Sequence, residues 1–183
     1  KAQSNKKIQE KTAEINGFVQ ELIHSSTQDI FAIEVKDSEF YLEDFTEKII
    51  LGYREKCSLN HVIFEIEDRK NVLLKGDIDR AYEAVGNLME NAFKYGDGRK
   101  ITLSFSEEEY CILLHIKNTG IPVSENEMAH LFESFFRGSN AQSRQGSGLG
   151  LYICREIMQK MGGDIYAARQ DFGMEFVLVF RIC

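Results

Sequence analysis

The chain has 183 residues, 43% hydrophobic and 13 of them Phe, which suits one good-sized domain or a domain with an appendage. Lys and Arg number 22 against 29 Asp and Glu, a formal charge of -7 that argues against nucleic acid or an anionic membrane surface as the main partner. Cys57, Cys111, Cys154 and Cys183 form no C-x-x-C pair and read as reduced thiols of a cytosolic setting, mostly core filler. No apolar run is long enough to span a bilayer, and a chain opening on Lys1 rather than Met reads as an excised piece, any membrane segment lying outside it.

Residues 1–30 are polar and helix-favouring, with Ile8, Ile15 and Leu22 at heptad spacing and Val19 on the same seam. They predict a helix that packs on a partner, the competing reading being an amphipathic helix folded onto its own domain. An acidic connector then leads into a second amphipathic helix, with Phe40, Leu42, Phe45, Ile49, Ile50 and Tyr53 on its inner side. Strands are predicted over 61–66 and 71–75. Asp77 and Ile78 open a helix that Gly96-Asp97-Gly98 ends. Two strands over 100–106 and 110–117 flank the acidic turn Glu107-Glu108-Glu109. Ser124 caps a short helix to His130, a polar stretch runs over 137–145, a helix covers about 148–161, and strands over 164–169 and 174–181 close the chain. Hairpins mixed with three core helices predict an α+β fold: a two-layer sandwich of a mixed, mostly antiparallel sheet covered on one face by helices, after an N-terminal helix.

The most informative segment is Asn87-Leu88-Met89-Glu90-Asn91-Ala92-Phe93-Lys94-Tyr95. On a helix, Asn87, Asn91 and Lys94 or Tyr95 share one face, while Leu88, Met89, Ala92 and Phe93 seat the other on a core. Asparagines are poor helix formers and costly to bury unpaired, so the stripe suggests an oxygen-rich ligand; a solvated face is the bland alternative. Gly146-Ser147-Gly148-Leu149-Gly150 stands directly before the last helix, where glycines let backbone N–H groups approach a phosphate at the positive end of the helix dipole. It lacks the G-K-[ST] ending of a Walker loop. Over 137–160, Arg137, Arg144, Arg155 and Lys160 face one acid, Glu156, a local surplus of positive charge in an acidic chain. Asn118-Thr119-Gly120 ends a strand between these islands, and Phe132-Glu133-Ser134-Phe135-Phe136-Arg137-Gly138 opens the polar stretch.

In this order the four islands resemble the N, G1, F and G2 boxes of the ATP-binding catalytic domain of sensor histidine kinases, in the wider group with gyrase, the large heat-shock chaperone and mismatch-repair ATPases. The resemblance runs from about Glu39 to the C-terminus and implies the Bergerat-type ATP-binding fold. It implies that Asn91 coordinates the Mg²⁺ of bound ATP with Asn87 beside it, and that Lys94 and Arg137 contact phosphate oxygens. Tyr95, Asn118 and Gly120 would lie near the nucleotide with Gly146, Gly148, Leu149 and Gly150, and 137–147 would be a lid. Residues 1–30 would be the second helix of a dimerisation hairpin and 31–183 the catalytic domain, with ATP and Mg²⁺ as cofactors, a response regulator receiver domain as partner and a homodimer in the full protein. The setting implied is the cytoplasmic portion of a membrane-anchored bacterial sensor.

Two departures sharpen the expectation. The family usually has Asp in the G1 box to accept from the adenine amino group, and here Asn118 must use its side-chain carbonyl, so weaker but retained adenine recognition is expected. Pro122 stands at or near the second G1 glycine and stiffens the turn. The family's phosphoacceptor His, followed by an acid and then a Pro, has no counterpart: the only proline is Pro122, and His24 is followed by Ser25-Ser26-Thr27. His24 reads as a surface or seam residue and His61, His115 and His130 as structural, which puts the acceptor before Lys1. The hydrolase and serine-kinase branches carry a Glu as general base where this chain has Asn87, which cannot take a proton. That favours phosphoryl transfer to histidine over a gyrase- or chaperone-type ATPase, and leaves a degenerate nucleotide-sensing or partner-binding module as the alternative.

Overall fold

A computed structural model of the chain describes residues 33–67, 71–139 and 146–183. The chain divides by its contacts after Glu34, and every element below belongs to the unit Val35–Cys183. The helix expected over 1–30, with His24, and residues 140–145 of the expected lid lie outside the described residues.

Strand β1, Glu39–Tyr41, takes Phe40 out of the helix in which its spacing from Phe45 had suggested it. Phe40 is buried between exposed neighbours, a two-residue period, and pairs with Leu74 of β3 (Leu73–Lys75) in a small antiparallel sheet. Its ring meets those of Phe45 at 5.3 Å and Phe180 at 6.1 Å, both edge-on, each pair stabilising by about 1 kcal/mol beyond burial. Helix α1, Leu42–Leu59, then buries Leu42, Phe45, Thr46, Ile49, Tyr53 and Cys57 along one stripe, while Ile50 is half-buried. His61 sits in the following turn at φ 56 rather than in a strand, and strand β2 begins at Ile63 and runs to Ile66.

Helix α2, Ile78–Tyr95, starts where Asp77 can cap it: Oδ1 accepts from the N–H of Asp79 at 2.9 Å and of Arg80 at 3.3 Å, and Oδ2 from that of Lys36 at 3.1 Å. Burial pushes this carboxyl up, but those three backbone donors outweigh it and hold its pKa below the ordinary value. The inner face of α2 buries Ala81, Ala84, Val85, Leu88, Met89 and Ala92.

The main sheet has the order β2-β4-β5-β7-β6, with β4 at Lys100–Glu108, β5 at Cys111–Thr119, β6 at Asp164–Gln170 and β7 at Gly173–Arg181. β2 runs parallel to β4 and all other pairs are antiparallel, the mixed, mostly antiparallel sheet expected. Register places Leu103, Ile116 and Phe176 side by side, with Leu114 beside Leu178, on the face that the helices cover. The opposite face is more polar: His115 lies 2.8 Å from Ser106 Oγ through Nε2 and 2.7 Å from Glu175 Oε1 through Nδ1. A short helix α3, Glu125–Met128, follows the capping Ser124, and helix α4, Gly150–Lys160, packs beside α2, its Cys154 thiol donating to the Ala84 carbonyl at 3.3 Å.

Replacing Asp77 by Ala is expected to cost about 1 kcal/mol in denaturant unfolding at neutral pH. Because the folded pKa lies below the unfolded one, that loss should be complete above the unfolded carboxylate value, about 3.9, and fade as pH falls through the folded value. A loss that persisted undiminished in strong acid would assign the effect to packing instead of the cap.

Candidate functional site

The polar face of α2, the ends of β5 and β7, the segment after α3 and the start of α4 enclose a cavity of about 540 Å³, the size of a small-ligand site. Asn87, Asn91, Lys94 and Tyr95 line it from α2, Asn118 from β5, Arg137 from the segment after α3, and Gly146, Gly148 and Gly150 from the glycine loop. Residues from four separated stretches of sequence thus meet around one space. Gly120 and Leu149, expected with them, stand outside the lining. A Cβ on Gly120 would lie 3.1 Å from the Asp97 nitrogen, so this glycine faces the loop after α2, and the Leu149 carbonyl accepts from Ile153 at the first turn of α4.

Several lining residues escaped the sequence reading. Met174 and Phe176 rise from β7 as an apolar floor because Asn118 pairs with Met174 and Ile116 with Phe176. Their alternation marks them as inward-facing, but only the register aims them at the cavity. Phe93, expected in the core, lines the cavity half-buried, with the Lys56 ammonium 4.7 Å from its ring centre. It lies at the boundary between the two faces of α2, where a helical wheel does not decide. Glu90 is the one carboxylate among the described lining residues, and its Oε1 is bonded to Lys56 Nζ.

The Asn118 corner is braced by the loop after α2. The Thr119 carbonyl accepts from Asp97 N–H at 2.9 Å and from Asn118 Nδ2 at 3.2 Å, which leaves Asn118 Oδ1 as the acceptor open to a ligand. The Thr119 hydroxyl donates to Asp97 Oδ1 at 2.5 Å and Arg99 N–H donates to the same oxygen at 3.0 Å. The Thr119 hydrogen bond, helped by the backbone N–H and the charge of Arg99, holds the Asp97 carboxyl below its usual value against the desolvation that would raise it. Across the sheet, a Cβ on Gly173 would fall 1.8 Å from the Asn118 carbonyl oxygen, so this strand pairing is open only to glycine.

The glycine loop is seated on the segment before it. Gly148 has φ +75, and a Cβ there would lie 2.7 Å from Phe135 C and Phe136 O. Phe135 itself has φ 63, a conformation costly for a bulky residue and kept only where the surroundings enforce it. Phe132 anchors this segment, buried, with the Arg155 guanidinium 4.6 Å from its ring centre. Lys94 Nζ lies against the loop, 2.6 Å from where a Cβ of Gly146 would be. With Lys94 and Arg137 lining the cavity and no acidic residue in the first turn of α4, the charge suits phosphate groups. For a hard cation the site offers the amide oxygens of Asn87 and Asn91, and no group of three or more His, Cys, Asp or Glu among the described residues is placed to hold a metal ion. That donor set fits Mg²⁺ carried in with phosphates and waters.

The profile of the histidine kinase-, DNA gyrase B-, and HSP90-like ATPases matches residues 76–182, and the chain belongs to that family. Within it the similarities point to histidine kinases. Sensor protein SrrB of Staphylococcus aureus (strain NCTC 8325 / PS 47) is 27% identical over 161 residues, which are 86% of this chain and 28% of the relative. The nucleotide-free catalytic domain of histidine kinase ThkA superposes with a TM-score of 0.70 at 26% identity, over 80% of this chain and 95% of that domain. Histidine kinase ThkA in complex with the response regulator TrrA shares the fold at a TM-score of 0.69 and 22% identity, over 96% of this chain and 49% of that one. The chain thus spans 28% of the length of the SrrB relatives it matches.

Gly148→Ala is expected to unseat the glycine loop, because neither the Phe135 backbone nor a positive φ accommodates a methyl group. Nucleotide affinity measured by titration should fall at least tenfold while the thermal midpoint moves by a few degrees at most. Parental affinity in this variant would show that the loop does not bear on the cavity.

Proposed function

We propose that this chain is the ATP-binding catalytic part of a sensor histidine kinase, transferring the γ-phosphoryl group of ATP to a histidine on a dimerisation domain, for relay to an aspartate of a response regulator. The observation that carries the reading is Asn87 on the cavity wall one turn before Asn91. A water-activating base would have to stand there, and an amide cannot take a proton. Glu90, the carboxylate on the described lining, is paired with Lys56 Nζ. An imidazole nitrogen is already nucleophilic, so the chain's own residues have only to bind, orient and neutralise.

In this reading Asn118 Oδ1 accepts from the adenine amino group over the floor of Met174 and Phe176, and Tyr95 closes the side. The loop Gly146, Gly148 and Gly150 presents backbone N–H groups to phosphate oxygens at the start of α4, while Lys94 and Arg137 hold the charge that develops on the γ-phosphoryl group. Asn91, with Asn87 beside it, would hold Mg²⁺, which supplies charge neutralisation between the phosphates when bound. The domain would work on the cytoplasmic side of a membrane-anchored homodimer, where ATP and receiver domains are. The division near residue 30 and the lid over 137–147 belong to the same proposal. The complex of ThkA with TrrA supports a receiver domain as partner.

Asn91→Ala is expected to abolish Mg-ATP binding in calorimetry, and Asn118→Asp to tighten it about tenfold by restoring a charged acceptor. With γ-labelled ATP and a hairpin that carries a histidine, label should pass to the hairpin in acid-labile form. Steady phosphate release by the chain alone would instead favour a gyrase-type ATPase, and parental Mg-ATP affinity in Asn91→Ala would refute the site assignment.

A further inference from the structure

We propose that Asn118 relaxes the choice of base, so that the cavity takes 6-oxopurine nucleoside triphosphates beside ATP. The inference rests on the nucleotide reading above and deepens it by naming the class of base that the site accepts.

The lining divides by chemistry. Lys94, Arg137 and the glycine loop supply positive charge and backbone N–H groups, which suit phosphates. The described lining residues from β5, β7 and the segment between β5 and α3 are Asn118, Ile121, Val123, Met174 and Phe176. Of these, Asn118 alone has a polar side chain. A base seated among them packs on apolar surface and is read by one amide.

That amide carries an acceptor and two donor hydrogens on one planar group. With Oδ1 toward position 6 of adenine it accepts from the amino group, and Nδ2 can donate to ring nitrogen N1, which bears no hydrogen. A 6-oxopurine reverses both positions: the oxygen at 6 accepts, and N1 bears a hydrogen. Turned over, the same amide donates from Nδ2 to that oxygen and accepts N1–H on Oδ1. Either base is then paired at both positions. A carboxylate has no hydrogen for the oxygen at 6 and sets its charge against it.

The structure leaves the amide little reason to resist turning. Nδ2 is held by one hydrogen bond, to the Thr119 carbonyl at 3.2 Å, the long end of the N–H···O range. The same carbonyl accepts from Asp97 N–H at 2.9 Å, so releasing Nδ2 leaves it with a partner. Gly96 leaves room beside the amide, since a Cβ there would lie 3.2 Å from Nδ2. Glu90, the carboxylate on the described lining, is paired with Lys56. Turning therefore forfeits one neutral hydrogen bond, which limits the preference for ATP to about tenfold.

The test measures displacement of a fluorescent ATP analogue from the full chain, with Mg²⁺, by ATP, inosine triphosphate and purine riboside triphosphate. Inosine triphosphate carries the 6-oxo group and N1–H, and the purine riboside has no group at position 6. For the parent, inosine triphosphate is expected to bind within about tenfold of ATP, and the purine riboside about fivefold more weakly than ATP. In Asn118→Asp the preference for ATP over inosine triphosphate should rise to about a hundredfold or more. The role is overturned if the parent rejects inosine triphosphate by about a hundredfold, if the purine riboside binds as well as ATP, or if Asn118→Asp keeps the parent's ratio. The two parent ratios decide the matter even if Asn118→Asp fails to fold. A parent that binds no nucleotide would sink the nucleotide reading and this role with it, whereas ATP bound and inosine triphosphate refused overturns this role alone.

Discussion

The site depends on how closely α4 can approach α2. The two helices meet where α2 presents Ala81 and Ala84, both fully buried, and the Cys154 thiol of α4 reaches the Ala84 carbonyl. Small side chains on α2 are what permit a side chain of α4 to touch its backbone. One turn further along α2 comes Asn87, and one turn back along α4 comes Gly150, so the same contact brings an amide and the end of the glycine loop side by side on one wall of the cavity. Larger residues at 81 or 84 would push the first turn of α4, and the N–H groups it offers to an anion, away from Asn87 and Asn91.

The other side of the cavity is set by backbone geometry. The loop after α2 is tied to the end of β5 through Thr119 and Asp97, and β7 closes on Asn118 so tightly that only glycine fits at 173. The Asn118 amide is thereby held by its nitrogen on the Thr119 carbonyl. On the lid side, Phe135 holds a positive φ directly beneath Gly148. Strain of this kind, about 1–3 kcal/mol, is kept where neighbours over-determine the backbone, and here the neighbours are Phe132 below and the glycine loop above. The F and G2 islands are therefore one mechanical unit, although eight residues separate Gly138 from Ser147 in the chain.

Most of the architecture was legible because it follows from periodicity and punctuation. The amphipathic stripe of α1, the cap at Asp77, the glycines after Tyr95 and the alternation along β5 and β7 are local signals, and the structure places elements there. Phe40 was misassigned to the helix because a residue just ahead of a helix can continue its apolar spacing, and only pairing with Leu74 and the rings of Phe45 and Phe180 draw it into a strand. His61 read as part of a strand by its neighbours' pattern, but the chain turns there at positive φ before β2 begins. Among the site residues, Phe93 sits on the border of two faces, where composition alone assigns it to the core.

By itself, the sequence determined which chemical groups are available and in what order: two amides and a lysine on one helix face, an asparagine at a strand end, an arginine, and glycines ahead of a helix. These are properties of residue type and short-range spacing, which the chain carries before it folds. Only the tertiary structure decided which way each group points. Register laid Met174 and Phe176 under the cavity, the Thr119 carbonyl turned Asn118, and Lys56 engaged Glu90. Orientation of the Glu90 carboxylate is set by a partner 34 residues away in sequence, and that of the Asn118 amide by its neighbour's backbone after the sheet has formed. No local pattern encodes it.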